Sequence, residues 1–360
     1  MKTSEHHGQT GFVLVAVLVA LVVLTLLASA VAVVSERAIA EARADADAFE
    51  GEIATVGTRD SVLYLLSTQR QTYGGLTVDQ QVVWSVGQAT AIRPDDDFGD
   101  ATNFLPIGNE IKLDGTPYLG LGGARFALQD DAGRFSPNWS FPMYRDGFLT
   151  MLGVPAGEWD VLDARRLDYQ DPDDLYRLNG AERAQYKDRG MPGPANRTLL
   201  TPLELRRVMG WDKALAKLDD AKLMDLLTTS RTVNINVNTA APETLRSLPG
   251  VDAPTAQRIV DLRQKLPHML AWQFIQTFNL PMDETQPLGL LAVGYGTLKL
   301  WHNAGGPVRM IHWTLTPTDE GGRPWRLDYE IVLPRDQHTD SDMARAPQTP
   351  VFPQPGQADG

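Results

Sequence analysis

The chain of 360 residues contains no cysteine. This absence excludes disulfide bonds, thiolate metal sites and thiol nucleophiles, but it does not assign a compartment, since oxidising compartments allow disulfides without requiring them. Basic residues are outnumbered by acidic ones, 33 against 45, which leaves a formal net charge of −12. Because phosphate backbones attract basic surfaces, this balance disfavours nucleic-acid binding. The length predicts two folded units beyond any anchor.

Charged residues are also absent from Phe12 to Val34. At about 1.5 Å per residue, a helix of this length reaches roughly 35 Å, enough to cross a ~30 Å hydrocarbon core. No turn signal separates the run from the Ala-, Glu- and Arg-rich stretch that continues to about Ala48. A cleaved secretory signal is the alternative, but its apolar region is usually about 7–15 residues long. We therefore expect a retained, single-pass transmembrane helix.

A short polar leader ends in Gly11 and is followed by Phe12. This arrangement resembles the type IV prepilin signal, in which a peptidase cleaves after Gly and the new N-terminal Phe is methylated. If Phe12 is the first mature residue, the fifth is Ala16, where most pilin-like subunits carry Glu. A buried carboxylate is costly unless it is paired. Ala16 therefore favours a subunit at the tip of a fibre, with no neighbour above it.

Helical and strand-like segments follow one another in an informative order. A helical pattern continues to about Thr68. Helical signals then dominate residues 141–288, with a capping box at Thr201–Glu204 that predicts a helix to about Met209. Strand-like runs stand on both sides of this block, at 81–86, 125–128, 296–301, 309–316 and 325–332. This order predicts one sheet with an inserted domain, followed by a disordered tail.

Carboxylates are concentrated in an irregular segment between Leu167 and Glu182, where Pro172 and Gly180 interrupt any helix. Ca²⁺ takes about 6–8 oxygen ligands, which a folded acidic loop readily supplies. A solvated acidic loop is the plain alternative, and an Mg²⁺ site for phosphoryl chemistry is another. The spacing is not that of an EF-hand. No phosphate-cradling Gly-rich loop, HExxH or GxSxG pattern accompanies the cluster.

Two short helical patterns joined across Leu248–Val251 indicate a helix-hairpin-helix. Asn238 or Thr239 is expected to cap the first helix, and Asp252 the second. In competence-type DNA receptors this motif binds phosphates through backbone amides, where Asp252 would instead set a carboxylate against the phosphate. A packing module is therefore favoured over an anchored DNA receptor. The receptor would require a basic face at Arg246, Arg258, Arg263 and Lys265.

Taken together, these features resemble the type II secretion minor pseudopilin K family (general secretion pathway protein K, GspK). The resemblance covers residues from about 10 to 335, and Tyr169 stands where the family usually has Trp. It rests on the order of four motifs: Asp168–Asp173, Gly180–Glu182 with Tyr186, Glu204–Val208 and Asn236–Ala240.

The resemblance implies an α+β fold. A transmembrane helix continues into a pilin-like domain with an antiparallel sheet, which is interrupted by a large inserted all-α domain containing the helix-hairpin-helix-like segment. The implied bounds are a leader at 1–11, a transmembrane helix at 12–34, a pilin-like domain at 35–140 and 289–335, an inserted domain at 141–288 and a tail at 336–360.

The implied role is structural rather than enzymatic. The subunit would cap the tip of the periplasmic pseudopilus together with minor pseudopilins of types I and J, and promote export across the outer membrane. Prepilin peptidase would cut between Gly11 and Phe12. The chain would lie in the inner membrane with its bulk in the periplasm, secreted substrates are further candidate partners, and no nucleic acid is expected. A type IV pilus minor pilin is the nearer alternative.

The family also binds calcium, so the resemblance implies a structural Ca²⁺ ion in the acidic segment. The candidate ligands are Asp168, Asp171, Asp173, Asp174 and Glu182.

Overall fold

The computed structural model describes residues 10–78, 104–108, 110–138, 141–231, 234–283, 288–303, 305–318, 322–335 and 352. The chain divides into two compact units, Met1–Ile53 and Ala54–Gly360. The described part of the first unit is helical and belongs to helix α1, which runs from Thr10 to Thr68 and ends in the second unit. By length and composition, α1 contains a stretch able to cross a membrane. The predicted continuation to Thr68 is confirmed.

The second unit is built around a five-stranded sheet, in which every neighbouring pair of strands is antiparallel. The strand order is β3-β4-β7-β8-β9, with β3 and β9 at the edges. The bounds are β3 Asp114–Leu119, β4 Ala124–Asp130, β7 Tyr295–His302, β8 Gly305–Leu315 and β9 Trp325–Leu333. A small antiparallel hairpin, β1 Gln71–Thr72 and β2 Gly75–Leu76, precedes the sheet.

A helical block is inserted between β4 and β7, which are direct neighbours in the sheet. Its helices are α2 Pro142–Leu152, α3 Trp159–Gln170, α4 Arg183–Asp188, α5 Trp211–Ala214, α6 Asp220–Leu226, α7 Pro242–Leu245, α8 Ala253–Arg263 and α9 Ala271–Phe278. Because β4 pairs directly with β7 on either side of the insertion, the predicted α+β class with an inserted helical domain is confirmed. The block is not purely helical, since β5 (Ile235–Asn236) pairs in parallel with β6 (Leu288–Gly289).

Most of the strands agree with their sequence signals. The β-prone runs at 125–128, 296–301 and 325–332 lie inside β4, β7 and β9. Strand β3 was not predicted, because Gly115 and Pro117 weaken its β-strand signal. The predicted strand at 81–86 lies outside the described residues.

The predicted capping box at Thr201–Glu204 is wrong. Thr201 makes no side-chain cap, and the segment forms a 3₁₀ helix at Pro202–Arg207 instead of an α-helix to Met209. The Glu204 carboxylate accepts hydrogen bonds from the backbone N–H of Leu200 (2.9 Å) and from Arg197. A competing tertiary partner has therefore replaced the local capping arrangement.

The sheet buries one face against the C-terminal part of α1, through residues such as Leu63, Leu66 and Phe126. Close contact is possible because Gly120 stands opposite Thr58, where a Cβ atom would lie 2.5 Å from the threonine side chain. Phe352 also joins this core, with its ring centroid 5.6 Å from that of Phe126. Phe352 belongs to the segment 336–360, which was expected to be disordered, and the other residues of that segment lie outside the described part of the chain.

Candidate metal centre

The candidate metal centre is organised around Asp168, which is completely buried near the C-terminal end of α3. The segment after the helix folds back over its carboxylate. Asp168 Oδ2 accepts hydrogen bonds from the backbone N–H groups of Arg177 (3.0 Å) and Ala181 (2.9 Å), and Oδ1 accepts one from Arg177 Nη1 (2.7 Å). Gly180 is required for this approach, because a Cβ atom there would lie 1.9 Å from Asp168 Oδ2.

Asp171 is the C-cap residue of α3, immediately after Gln170. Its Oδ2 accepts a hydrogen bond from Arg177 Nη1, so the guanidinium bridges Asp168 and Asp171. These hydrogen bonds raise the pKa of Arg177. The other oxygen, Asp171 Oδ1, is buried and has no hydrogen-bond partner in the described part of the chain.

Glu182 brings a third carboxylate to the same place, immediately before α4. Its backbone N–H donates to Gln185 Oε1 (3.0 Å), which holds the start of the helix. The carboxylate is buried. It faces the backbone N–H of Gln185 in a capping box, but neither of its oxygens makes a hydrogen bond of normal geometry with a described residue. Burial, followed by the charges of Asp168 and Asp171, raises the pKa of Glu182 to about 7.

One ligand oxygen from each of Asp168, Asp171 and Glu182 lies within 4.8 Å of the others. Among the described residues, Asp168 and Asp171 pair with Arg177, whose side chain is 43% exposed and therefore partly screened by water, and Glu182 has no ion-pair partner. An unpaired buried carboxylate is costly, and a bound cation removes that cost. The all-oxygen donor set suits hard cations such as Ca²⁺ and Mg²⁺. These residues therefore fit a divalent cation.

The structure does not bring the other two predicted ligands into the cluster. Asp173 Oδ1 accepts a hydrogen bond from the backbone N–H of Leu175 (2.8 Å), as in a local turn. The exposed Asp174 lies 3.9 Å from Arg183 Nε. Sequence reasoning also missed Arg177, whose only signal is that it is a lone cation in an acidic segment.

Comparison with known proteins bears on this same region. Residues 144–219 match the family model of protein K of the type II secretion system. For these residues the match confirms the resemblance seen in the sequence, and the matched segment contains Asp168, Asp171 and Glu182. No curated protein matches the chain.

A chain of a solved structure, the GspK-GspI-GspJ complex from the type 2 secretion system of enterotoxigenic Escherichia coli, is also similar. It is 18% identical with a TM-score of 0.41, over 61% of this chain and 83% of that chain.

Within the matched residues 144–219, Tyr169 and Glu204 connect the end of α3 to the 3₁₀ helix. The Tyr169 hydroxyl donates to Glu204 Oε1 (3.2 Å), and Arg197 donates to both carboxylate oxygens (2.9 and 3.0 Å). Burial opposes ionisation of Glu204, but the Arg197 hydrogen bonds prevail and lower its pKa. This network fixes the 3₁₀ helix against Tyr169, the neighbour of Asp168 in α3. The Glu-Leu-Arg motif therefore has a packing role.

The Asn-Val-Asn-Thr motif at 236–239, beyond the matched residues 144–219, joins the helical block to the sheet. Asn236 Nδ2 and Thr239 Oγ1 both donate to Asp130 Oδ2 at the end of β4, at 2.9 and 2.8 Å. Asn238 Nδ2 donates to the backbone carbonyls of His268 and Leu290, each at 2.8 Å. The prediction that Asn238 or Thr239 caps the first hairpin helix is wrong, because that helix begins after Ala241.

The helix-hairpin-helix is present as α7 and α8, but another segment of the chain packs against its hairpin. Asp252 caps α8 by accepting a hydrogen bond from the backbone N–H of Thr255 (2.9 Å), as predicted. A Cβ atom at Gly250 would lie 2.4 Å from Pro281, so another segment packs against the turn. Arg263 points inward and donates to the carbonyls of Val237 and Ala240. These contacts disfavour the phosphate-binding arrangement of a DNA receptor.

A second polar cluster joins His312 of β8 and Asp328 of β9 to Asp131, just after β4, and to Ser230 of the helical block. His312 Nδ1 bonds to Asp328 Oδ2 and Nε2 to Asp131 Oδ2, both at 2.8 Å, while Ser230 Oγ lies 3.1 Å from Nε2. Burial alone would lower the pKa of His312, but the carboxylates raise it to about 9. The imidazolium is therefore held between two anions and is poorly suited to act as a general base towards Ser230.

Proposed function

We propose that the chain is a minor pseudopilin of the type II secretion system, anchored by α1 in the inner membrane with its bulk in the periplasm. The observation that carries this proposal is the match of residues 144–219 to protein K. The charge-free run Phe12–Val34 ahead of it supports an anchor of the pilin type. Prepilin peptidase would cleave after Gly11, leaving a methylated Phe12 at the new N-terminus.

In this role the subunit caps the pseudopilus tip. Ala16 supports a terminal position, since a subunit with nothing above it has no neighbouring amino group for a carboxylate to pair with. The partners are the minor pseudopilins of types I and J, as the family resemblance implies. They pack against α1, and the subunit promotes protein export across the outer membrane.

Deletion of the gene in its own organism tests this role. Exported proteins are quantified in the medium and in the periplasm, and piliation is measured in the same strains. We expect exported proteins to accumulate in the periplasm, and the wild-type gene to restore their release. Normal export accompanied by loss of surface pili would overturn the proposal in favour of a type IV pilus minor pilin.

We further propose that Ca²⁺ occupies the metal centre and serves a structural purpose. Asp168, Asp171 and Glu182 would hold the ion, with water or backbone carbonyls as further ligands. When bound, calcium supplies positive charge to the cluster. The support for this is that Asp171 Oδ1 and both Glu182 oxygens are buried and make no hydrogen bond of normal geometry with the described residues. Bridging of Asp168 to Glu182 ties the end of α3 to the start of α4.

Calcium titration of the full chain in detergent tests the site. Thermal unfolding is followed with calcium, with magnesium and with a chelator. We expect calcium to raise the melting temperature, because a ligand that binds only the folded state stabilises it. Identical melting in all three conditions would leave the acidic segment without a bound cation.

A further inference from the structure

A cleft of about 500 Å³ lies apart from the metal centre, and the proposed function makes no use of it. Its walls come from the β1–β2 hairpin at 72–75, from residues 106–108, 110 and 112–114, and from the end of α8 with the residues that follow it, 263–267. Residues 236, 238, 239, 290 and 292 complete the lining. This volume falls in the range of about 300–1,000 Å³ that is typical of ligand sites.

The first acidic group of the cleft is already saturated by the protein. The Glu110 carboxylate accepts hydrogen bonds from the backbone N–H groups of Ile107 (2.5 Å) and Gly108 (3.0 Å). It also accepts one from the hydroxyl of Thr72 (3.0 Å). With three donors in place, Glu110 shapes the wall and has little capacity left for a ligand.

The second acidic group, Asp114, is similarly engaged. Its Oδ1 accepts hydrogen bonds from the backbone N–H (3.1 Å) and hydroxyl (2.5 Å) of Thr116. Its Oδ2 accepts one from Gln264 Nε2 (3.3 Å) and lies 3.6 Å from Arg263 Nη2. The carboxylates of Glu110 and Asp114 are therefore both satisfied by hydrogen bonds or an ion pair within the protein.

The positive charges are less well satisfied. Lys112 Nζ donates to the side-chain oxygen of Gln264, and Lys265 lines the cleft on the same side. Among the described residues, neither ammonium group has a carboxylate partner. Together with Arg263, the described residues that line the cleft include three cationic and two anionic side chains. This local excess of positive charge stands out in a chain with a net charge of −12.

Apolar side chains line the same cleft. Ile107 and Leu266 are 45% and 59% exposed, and Pro106 and Pro267 lie beside them in the chain and in the lining. A ligand that matches this surface combines a carboxylate with apolar groups. We propose that the cleft binds an extended acidic peptide segment, with Lys112 and Lys265 pairing its carboxylate and the apolar residues packing against its neighbouring side chains. This proposal is independent of calcium.

Fluorescence anisotropy tests the proposal on the full chain in detergent. The probe is a short fluorescein-labelled peptide of alternating leucine and glutamate with an amidated C-terminus. We expect the double variant Lys112→Glu, Lys265→Glu to weaken binding about tenfold or more, because reversal replaces attraction by repulsion. The matched control Lys213→Glu, Lys217→Glu makes the same change in net charge at exposed lysines outside the cleft and should bind as the wild type does.

Peptide variants then identify the anion. The glutamine counterpart with an amidated end should bind about tenfold more weakly. If the glutamine peptide with a free C-terminus recovers affinity, the cleft recognises a terminal carboxylate. If that peptide does not recover affinity, the cleft recognises acidic side chains. Melting temperatures report whether the variants are folded, and Lys112→Met, Lys265→Met supplies a milder pair. Equal binding by the glutamate and amidated glutamine peptides, unchanged binding by the cleft variants, or no binding to the wild type would overturn the proposal.

Discussion

The carboxylate of Asp168 leaves no space for a side chain at Gly180, where a Cβ atom would lie 1.9 Å from Asp168 Oδ2. Gly180→Ala should therefore push the loop away from a buried charge and break its hydrogen bond to the N–H of Ala181. We expect a loss of about 2 kcal/mol or more in the free energy of unfolding, measured by urea denaturation. Gly157→Ala is the control, since nothing lies within 4 Å of its Cβ position. Equal, small effects would show that the loop does not close over Asp168.

The Glu182 carboxylate gives a sharper test of the metal centre. Glu182→Gln removes a buried negative charge while preserving its shape, so without calcium we expect stability to be equal to the wild type or higher by about 1 kcal/mol. The calcium-dependent rise in melting temperature should disappear. Asp174→Asn, at an exposed carboxylate outside the cluster, should keep that rise. Retention of the full calcium response by Glu182→Gln would exclude Glu182 as a ligand.

The pairing of His312 with Asp131 and Asp328 predicts that the free energy of unfolding decreases at alkaline pH. The folded-state pKa of His312, about 9, is above its ordinary value of 6.5. Its stabilising contribution is thus complete below pH 6.5 and is lost as the pH rises through about 9. We expect the free energy of unfolding to fall by on the order of 3 kcal/mol across this interval.

His312→Gln is the variant that isolates this effect. It should be less stable than the wild type at pH 6 and should show a much flatter profile between pH 6.5 and 9.5, as followed by urea unfolding. His302→Gln should keep the wild-type slope. If the slope persists in His312→Gln, another group is responsible for it.

Phe352 closes the core beneath the sheet, where its ring meets Phe126. Phe352→Ala should lower the free energy of unfolding by about 3 kcal/mol, as expected for removal of a buried aromatic ring. Truncation after Arg335 removes the same ring and should cost a similar amount. Leu178→Ala, at a side chain that is 88% exposed, should change stability by less than about 0.5 kcal/mol. If denaturation curves of Phe352→Ala and the wild type coincide, the ring does not occupy the core in solution.

The parts of the fold that were predictable are those with strong, local signals. Helix α1 has a long apolar run and no proline, and β7 to β9 have dense β-branched and aromatic residues. Strand β3 was missed because its identity depends on pairing with β4 rather than on its own composition. Thr201 was misread because Arg197 and Leu200 compete for the Glu204 carboxylate, which only the tertiary structure shows.

The candidate site was predictable as a segment but not as a set of ligands. Sequence placed five carboxylates together, whereas the structure brings only Asp168, Asp171 and Glu182 within reach of one another. That selection depends on the path of the chain around Gly180 and on the inward turn of Arg177. Neither follows from residue spacing in an irregular loop, where no fixed period relates sequence to direction.

We propose that this chain assembles with minor pseudopilins of types I and J. The test is co-expression of the full chain with the I and J subunits of the same organism, followed by affinity capture through the I subunit and measurement of the complex mass. We expect a complex that contains all three subunits and survives gel filtration. Recovery of an I–J complex from which this chain is absent, although it is folded and present in the membrane, would overturn the proposed assembly.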